Sequence, residues 1–288
     1  MKKNIFAAAL AFISVSSAIA FDWPLSETTS ETISSEFGQL RGGCISPSVI
    51  YKEDAEVHSA DDGIVIAVID DQSDAFGWFE SSLGSAVIVS HSDGLSTVYG
   101  NLNSISMHES LDGKTQLKEH DKIATSGNSA WQEESNGLEF QVYDKKNLSY
   151  VNPKILMPRI AKEPHLEAGP VFLMDKNGNF RNINTDKRLP AGTYFIYKTQ
   201  QGKHVPYKTI VTVNGETSET ITYDIIKESY GKVGLTGNNI YSIKELYPQK
   251  DKQLLGKIQL TKGQSTLSIT LINIQENSTL LNFKLDIY

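Results

Sequence analysis

A period of two governs most of this chain. Leu281, Phe283, Leu285 and Ile287 alternate with Asn282, Lys284 and Asp286, so a strand there has one apolar and one wet face. Leu138, Phe140 and Val142 alternate in the same way with Glu139, Gln141 and Tyr143. Residues 64–69 and 86–89 are short β-branched runs bounded by Gly, Asp and Ser, the pattern of buried strands. Ser92-Asp93-Gly94 supplies turn chemistry for a hairpin into residues 95–99. Further strands are predicted at residues 192–199, 209–213, 220–226, 257–261, 266–272 and 280–288, parted by turn pairs such as Asn177-Gly178, Gln201-Gly202 and Asn214-Gly215. Helical periodicity is nearly absent. The expected fold class is mainly β, an antiparallel β-domain followed by a C-terminal β-sandwich (Ig-like) domain. The 288 residues leave room for two units at roughly 150 residues each. Pro153, Pro158 and Pro164 cluster between Asn152 and Gly169, and proline lacks the backbone donor a regular strand needs, so the boundary is expected there.

The ends and the charge limit where the protein works. Lys2 and Lys3, an apolar run from Ile5 and the sequence Ala18-Ile19-Ala20 read as a cleavable signal peptide over residues 1–20, so the protein is expected to be exported, periplasmic or extracellular. Residues 21–36 are rich in Ser, Thr and Glu and are expected to form an exposed lead-in. No later stretch approaches the roughly 18 apolar residues of a membrane-spanning helix. The single cysteine, Cys44, excludes an internal disulfide and is expected to be a small buried side chain. A formal charge of -7 opposes a nucleic-acid partner, which needs a basic face. No phosphate-cradling glycine loop precedes a helix, and the Asp175 to Asn179 turn lacks the acidic twelfth position of an EF-hand, so no cofactor is expected.

More specific are five blocks in order. They are Glu56-Val57-His58-Ser59-Ala60-Asp61-Asp62-Gly63-Ile64-Val65, Gly84 through Gly94, Thr97-Val98-Tyr99-Gly100-Asn101-Leu102, Asp121 through Asn128, and Gly137-Leu138-Glu139-Phe140-Gln141-Val142 with Val151-Asn152-Pro153 behind it. Together they resemble the lysostaphin-type (LytM-like) zinc endopeptidases that cut peptide crosslinks in bacterial peptidoglycan. The resemblance implies a degenerate LytM-like domain over residues 37–160, leaving residues 165–288 to the β-sandwich.

The same resemblance implies where a zinc site would lie, and each position is substituted. Cys44 and Ser48 fall in the nearest register to the family's His-x-x-x-Asp ligand pair. Asn101 replaces a catalytic histidine, and Gly137 and Glu139 replace the closing His-x-His. A hydrolytic zinc ion needs three protein ligands and an open position for water. Serine is a poor ligand, and neither Asn101 nor Gly137 can exchange a proton. The family positions Cys44, Ser48, Asn101, Gly137 and Glu139 are therefore read as a vestigial groove, with no catalytic or metal-binding residue. Asn101, Glu139 and Gln141 are candidate contacts for an extended peptide on its floor. The expected function is a non-catalytic pseudopeptidase that binds peptidoglycan or regulates a wall-remodelling enzyme, since family members without the zinc site act as activators or scaffolds for wall hydrolases. The alternatives are an active endopeptidase whose atypical metal site uses Cys44 and Glu139, and a structural or adhesive envelope protein. The adhesive reading predicts that function survives filling the groove at Gly137.

Overall fold

The computed structural model describes residues 21–70, 81–130, 136–202 and 204–288. The expected signal peptide lies outside the described residues. The protein is mainly β, as the alternation requires. Its central strand is Glu139–Asp144, paired antiparallel with Ser48–Tyr51, Leu95–Leu102 and Ser149–Val151. The sheet continues outward through Ser85–Ser90 and Gly63–Ile69 to the short edge strand Gln116–Leu117.

On its other side this sheet does not stop at the proline cluster. Residues 153–170 form no strand, yet Ser149–Val151 pairs with Glu216–Ser229, joining Ser149 to Lys227, Tyr150 to Ile226 and Val151 to Ile225. The result is one 15-stranded sheet that runs through both halves of the chain. In the second half, Lys208–Val213, Gly263–Ile272 and Ser278–Ile287 extend it. A four-stranded sheet containing Val171–Met174, Gly192–Thr199 and Lys252–Leu260 packs against it face to face. Val211, Leu267, Ile269 and Leu285 from one sheet meet Leu173, Ile196, Ile258 and Leu260 from the other, forming the core of a sandwich. The first half has its own core around Val87, Tyr99, Phe140 and Val142. A third cluster lies between the halves, where Phe37 and Ile45 pack with Tyr197, Tyr223, Tyr241 and Leu254.

Two sequence expectations need correction. Residues 21–36 are not an exposed lead-in. Phe21, at 2% exposure, Leu25 and Ile33 are buried, the Asp22 amide donates to Ala60 O at 2.8 Å, and Ile33–Ser35 pairs with Ser48–Tyr51. The apolar residues there are too few and too irregularly spaced to show a period, but each fills a place in the core. The strand Gly63–Ile69 is not a buried strand: it is half-buried on one face, and Ile64, Ile66 and Val68 on the other remain exposed. It sits one strand from the sheet edge, and its outward face lines an open trough.

The junction also encloses charge. Lys154 Nζ lies 3.1 Å from Glu36 Oε1 and 2.8 Å from Glu163 Oε2, with all three side chains buried. The Val205 amide, from the second half, donates to Glu36 Oε2 at 3.0 Å. Burial pushes the Glu36 carboxyl upward, but Lys154, His204 and the Val205 amide outweigh it and hold the group below its ordinary range. Burial likewise pulls Lys154 down, and the two glutamates more than reverse that. A carboxyl held low in the folded protein adds stability above its unfolded value of about 4.3, and that stability is lost as pH falls through the folded value. Lys154→Met should therefore cost about 3–5 kcal/mol by urea unfolding at neutral pH, since it strands buried carboxylates. The difference from wild type should shrink as the pH is lowered below about 4.

Candidate functional site

The strand Glu139–Asp144 sets out the site by its alternation. Phe140 and Val142 enter the core, while Glu139 and Gln141 turn to the opposite sheet face. There Gln141 stands level with Ser48 on one neighbouring strand and Val98 on the other. Ser48 Oγ donates to Glu139 Oε1 at 2.6 Å, and Gln141 Nε2 lies 3.0 Å from Ser48 Oγ and 3.1 Å from Glu139 Oε1. Ser48, more than ninety residues away in the chain, thus forms one cluster with Glu139 and Gln141. Glu139 is only 4% exposed.

The cluster has a fourth member that the sequence reading misses. Arg41 Nη1 donates to Glu139 Oε2 at 2.9 Å. Arg41 sits on a hairpin of Leu40–Arg41 and Cys44–Ile45, turned at Gly42 and Gly43. Both glycines have positive φ, 55° and 81°, the requirement of a tight two-residue turn that suits strand twist. The Arg-Gly-Gly sequence is the signal that could have revealed it, since a double glycine predicts such a turn. The register that aligns Cys44 with Ser48 passes over Arg41. Cys44 pairs with Arg41 across the hairpin and is exposed, neither buried nor part of the cluster.

Asn101 and Gly137 correct the expected groove. Asn101 is fully buried, with a left-handed φ of 60° that asparagine tolerates better than most residues. Its Nδ2 donates to Gly137 O at 2.8 Å, and its Oδ1 accepts from the Ala130 amide at 2.8 Å. The side chain is committed to holding backbone segments and offers nothing to a peptide. At Gly137 a Cβ would lie 1.8 Å from Tyr51 O. No side chain fits there without moving the strand, so there is no groove at Gly137 to fill.

The donor set does not suit a hydrolytic zinc ion. Three ligands and a free position are needed. Here the Ser48 hydroxyl and Glu139 carboxylate already bond to each other, Gln141 turns its NH₂ group toward both, and a guanidinium stands on the remaining carboxylate oxygen. Oxygen donors, moreover, suit hard ions better than zinc. Among the described residues, a group of potential ligands lies elsewhere, at Asp22, Glu119 and His120. It is a surface cluster with an Asp22–His120 contact of 3.5 Å. His91 is likewise accounted for by hydrogen bonds, to Asp62 O at 2.9 Å and Thr97 Oγ1 at 2.8 Å.

Beside the cluster, the same sheet face becomes apolar. Gln141 also lines an open trough of ≈ 560 Å³ whose walls include Ile66, Ile88, Val98, Tyr143 and Leu148. The row Tyr143–Tyr150–Ile226 carries it across the hydrogen-bonded junction, and Val233 closes the far side. Ile66, Leu148 and Val233 are 57%, 68% and 54% exposed. Contiguous exposed apolar surface of this kind marks interaction sites. Lys145, Lys227 and Glu228 border it.

Residues 48–153 match the family model described as Peptidase family M23. Residues 165–288 match a second family model that carries no description. No curated protein matches the chain. A structure of the SpoIIQ-SpoIIIAH pore forming complex contains a chain with 20% identity and a TM-score of 0.37, the match covering 50% of this chain and 95% of that one. A crystal structure of the SpoIIIAH and SpoIIQ complex gives 21% and 0.36, covering 48% and 99%. A zinc-containing peptidase from Vibrio cholerae gives 20% and 0.37, covering 49% of this chain and 40% of its own. Likeness at that level says nothing of activity. The steric reading of Gly137 has a direct consequence: Gly137→Ala should destabilise the protein by about 3 kcal/mol or more in chemical denaturation, whereas Gly94→Ala, at a φ of 93° with open space around it, should cost about 1 kcal/mol.

Proposed function

We propose that this chain, whose residues 48–153 carry a LytM-type domain of Peptidase family M23, is a non-catalytic envelope protein that binds a polypeptide partner, a wall-remodelling enzyme in the first instance, through its apolar trough. The observation that carries this reading is the juxtaposition of a self-satisfied polar cluster with exposed Ile66, Leu148 and Val233. The cluster lacks what hydrolysis requires. No group at Asn101 or Gly137 can serve as general acid or base, and the carboxylate that would hold a metal holds Arg41. The trough supplies what protein binding requires, an apolar patch rimmed by polar residues.

The chemistry of the trough favours a protein over peptidoglycan. A glycan with short, largely polar stem peptides offers few large apolar groups to match Ile66, Tyr143 and Val233. A folded or extended polypeptide offers many, and apolar side chains rimmed by polar ones are what a protein interface buries.

Purified protein should capture periplasmic wall amidases from an envelope extract. It should retain them in about 0.5 M salt, because burial of apolar surface is insensitive to screening. Ile66→Asp and Val233→Asp should each reduce capture at least about tenfold, the loss of roughly 1.4 kcal/mol, while leaving the unfolding midpoint near wild type. Retention on purified wall sacculi alone would shift the reading to peptidoglycan. Retention on neither would end it, as would crosslink cleavage by the wild-type protein.

A further inference from the structure

We infer that Arg41 is the resident cation of the vestigial site, a fixed side chain in the place where a hydrolase of this fold needs an ion. The inference does not depend on what occupies the trough. It starts from burial. Glu139 lies on the central strand with 4% exposure, and a buried carboxylate without a compensating charge is strongly destabilising. Ser48 and Gln141 supply hydrogen bonds to one oxygen, but both are neutral. Among the described residues, a positive charge comes from Arg41, whose Nη1 is 2.9 Å from the other oxygen.

The placement of Arg41 is secured from outside the site. The Gly38 amide donates to Ser46 O at 2.8 Å, and the Ser46 amide donates to Gln39 O at 2.7 Å, closing the base of the hairpin. Tyr247 Oη donates to Gly38 O at 2.7 Å, and Gln39 Nε2 donates to Gly202 O at 3.0 Å. Ile45, with Leu40 against it, packs in the cluster that contains Tyr197 and Tyr223. Tyr247, Gly202, Tyr197 and Tyr223 belong to the second half of the chain. That half therefore pins the hairpin and presents Arg41 to a carboxylate in the first half. The Arg41 side chain is itself about two-thirds covered, at 32% exposure.

A divalent ion and a guanidinium cannot share this single carboxylate without strong repulsion. With Arg41 removed, the site would keep a carboxylate and a hydroxyl, and the Gln141 amide, whose NH₂ faces both, would offer its oxygen to a hard divalent ion only after turning over. The structure thus predicts a latent ion site that Arg41 closes.

Arg41→Met preserves much of the side-chain volume and removes the charge. It should lower the thermal midpoint by roughly 10 °C, and millimolar Mn²⁺ should restore several degrees of that loss, with a bound-ion signal in electron paramagnetic resonance. Wild type and the Arg41→Met/Glu139→Gln double variant should show neither response to Mn²⁺. The double variant should also recover at least half of the midpoint lost by Arg41→Met, because no charge is left buried. Arg41→Lys should fold and ignore Mn²⁺. If Arg41→Met does not fold, recovery of folding in the double variant carries the same conclusion. Equal destabilisation in the single and double variants would overturn the inference, as would a wild-type protein that binds Mn²⁺ at the same concentration and loses that binding in Glu139→Gln.

Discussion

A carboxylate shut into the middle of a sheet has to meet a positive charge, and much of the arrangement follows from how this protein supplies one. Glu139 cannot leave its position without turning Phe140 and Val142 out of the core, because the period of two couples their directions. The charge then comes from Arg41, carried on a double-glycine hairpin that reaches the site from the junction between the halves. With the guanidinium in place, Ser48 and Gln141 complete a closed hydrogen-bonded group. Both carboxylate oxygens of Glu139 are thereby engaged, one by Arg41 and one by Ser48 and Gln141.

The same constraint explains why the halves are not independent beads. The sheet is hydrogen-bonded across them through Ser149–Val151. The cluster around Tyr197, Tyr223 and Phe37 takes residues from both. Lys154, Glu36 and Glu163 form a second buried ionic group at the junction, tied to the second half by the Val205 amide. Buried charges tolerate little displacement, since breaking one contact leaves an ion in a low-dielectric setting. Two such groups, one at the site and one at the linker, flank the continuous sheet. That continuity makes a single trough out of Ile66, Tyr143, Ile226 and Val233, which come from both halves.

Several elements were legible because a local rule dictated them. The alternation at residues 138–142 and 281–287 assigned core and outer faces without any knowledge of neighbours. Other features had no local signal. Phe21, Leu25 and Ile33 lie in a polar stretch, and only their contacts reveal them as core. Cys44 belongs to a residue type usually buried, yet the hairpin turns it to solvent. Asn101 was readable as a residue unable to move protons, but its role as a clip between Gly137 and Ala130 depends on loops brought together from distant segments.

By itself, then, the sequence determined the β class and the faces of the central strands, since these follow from side-chain chemistry and a two-residue period. Only the tertiary structure decided that the two halves share a sheet, that Gly137 has no room for a side chain, and that Arg41 meets Glu139. Those outcomes rest on distances between residues far apart in the chain, and no periodicity or composition encodes such distances.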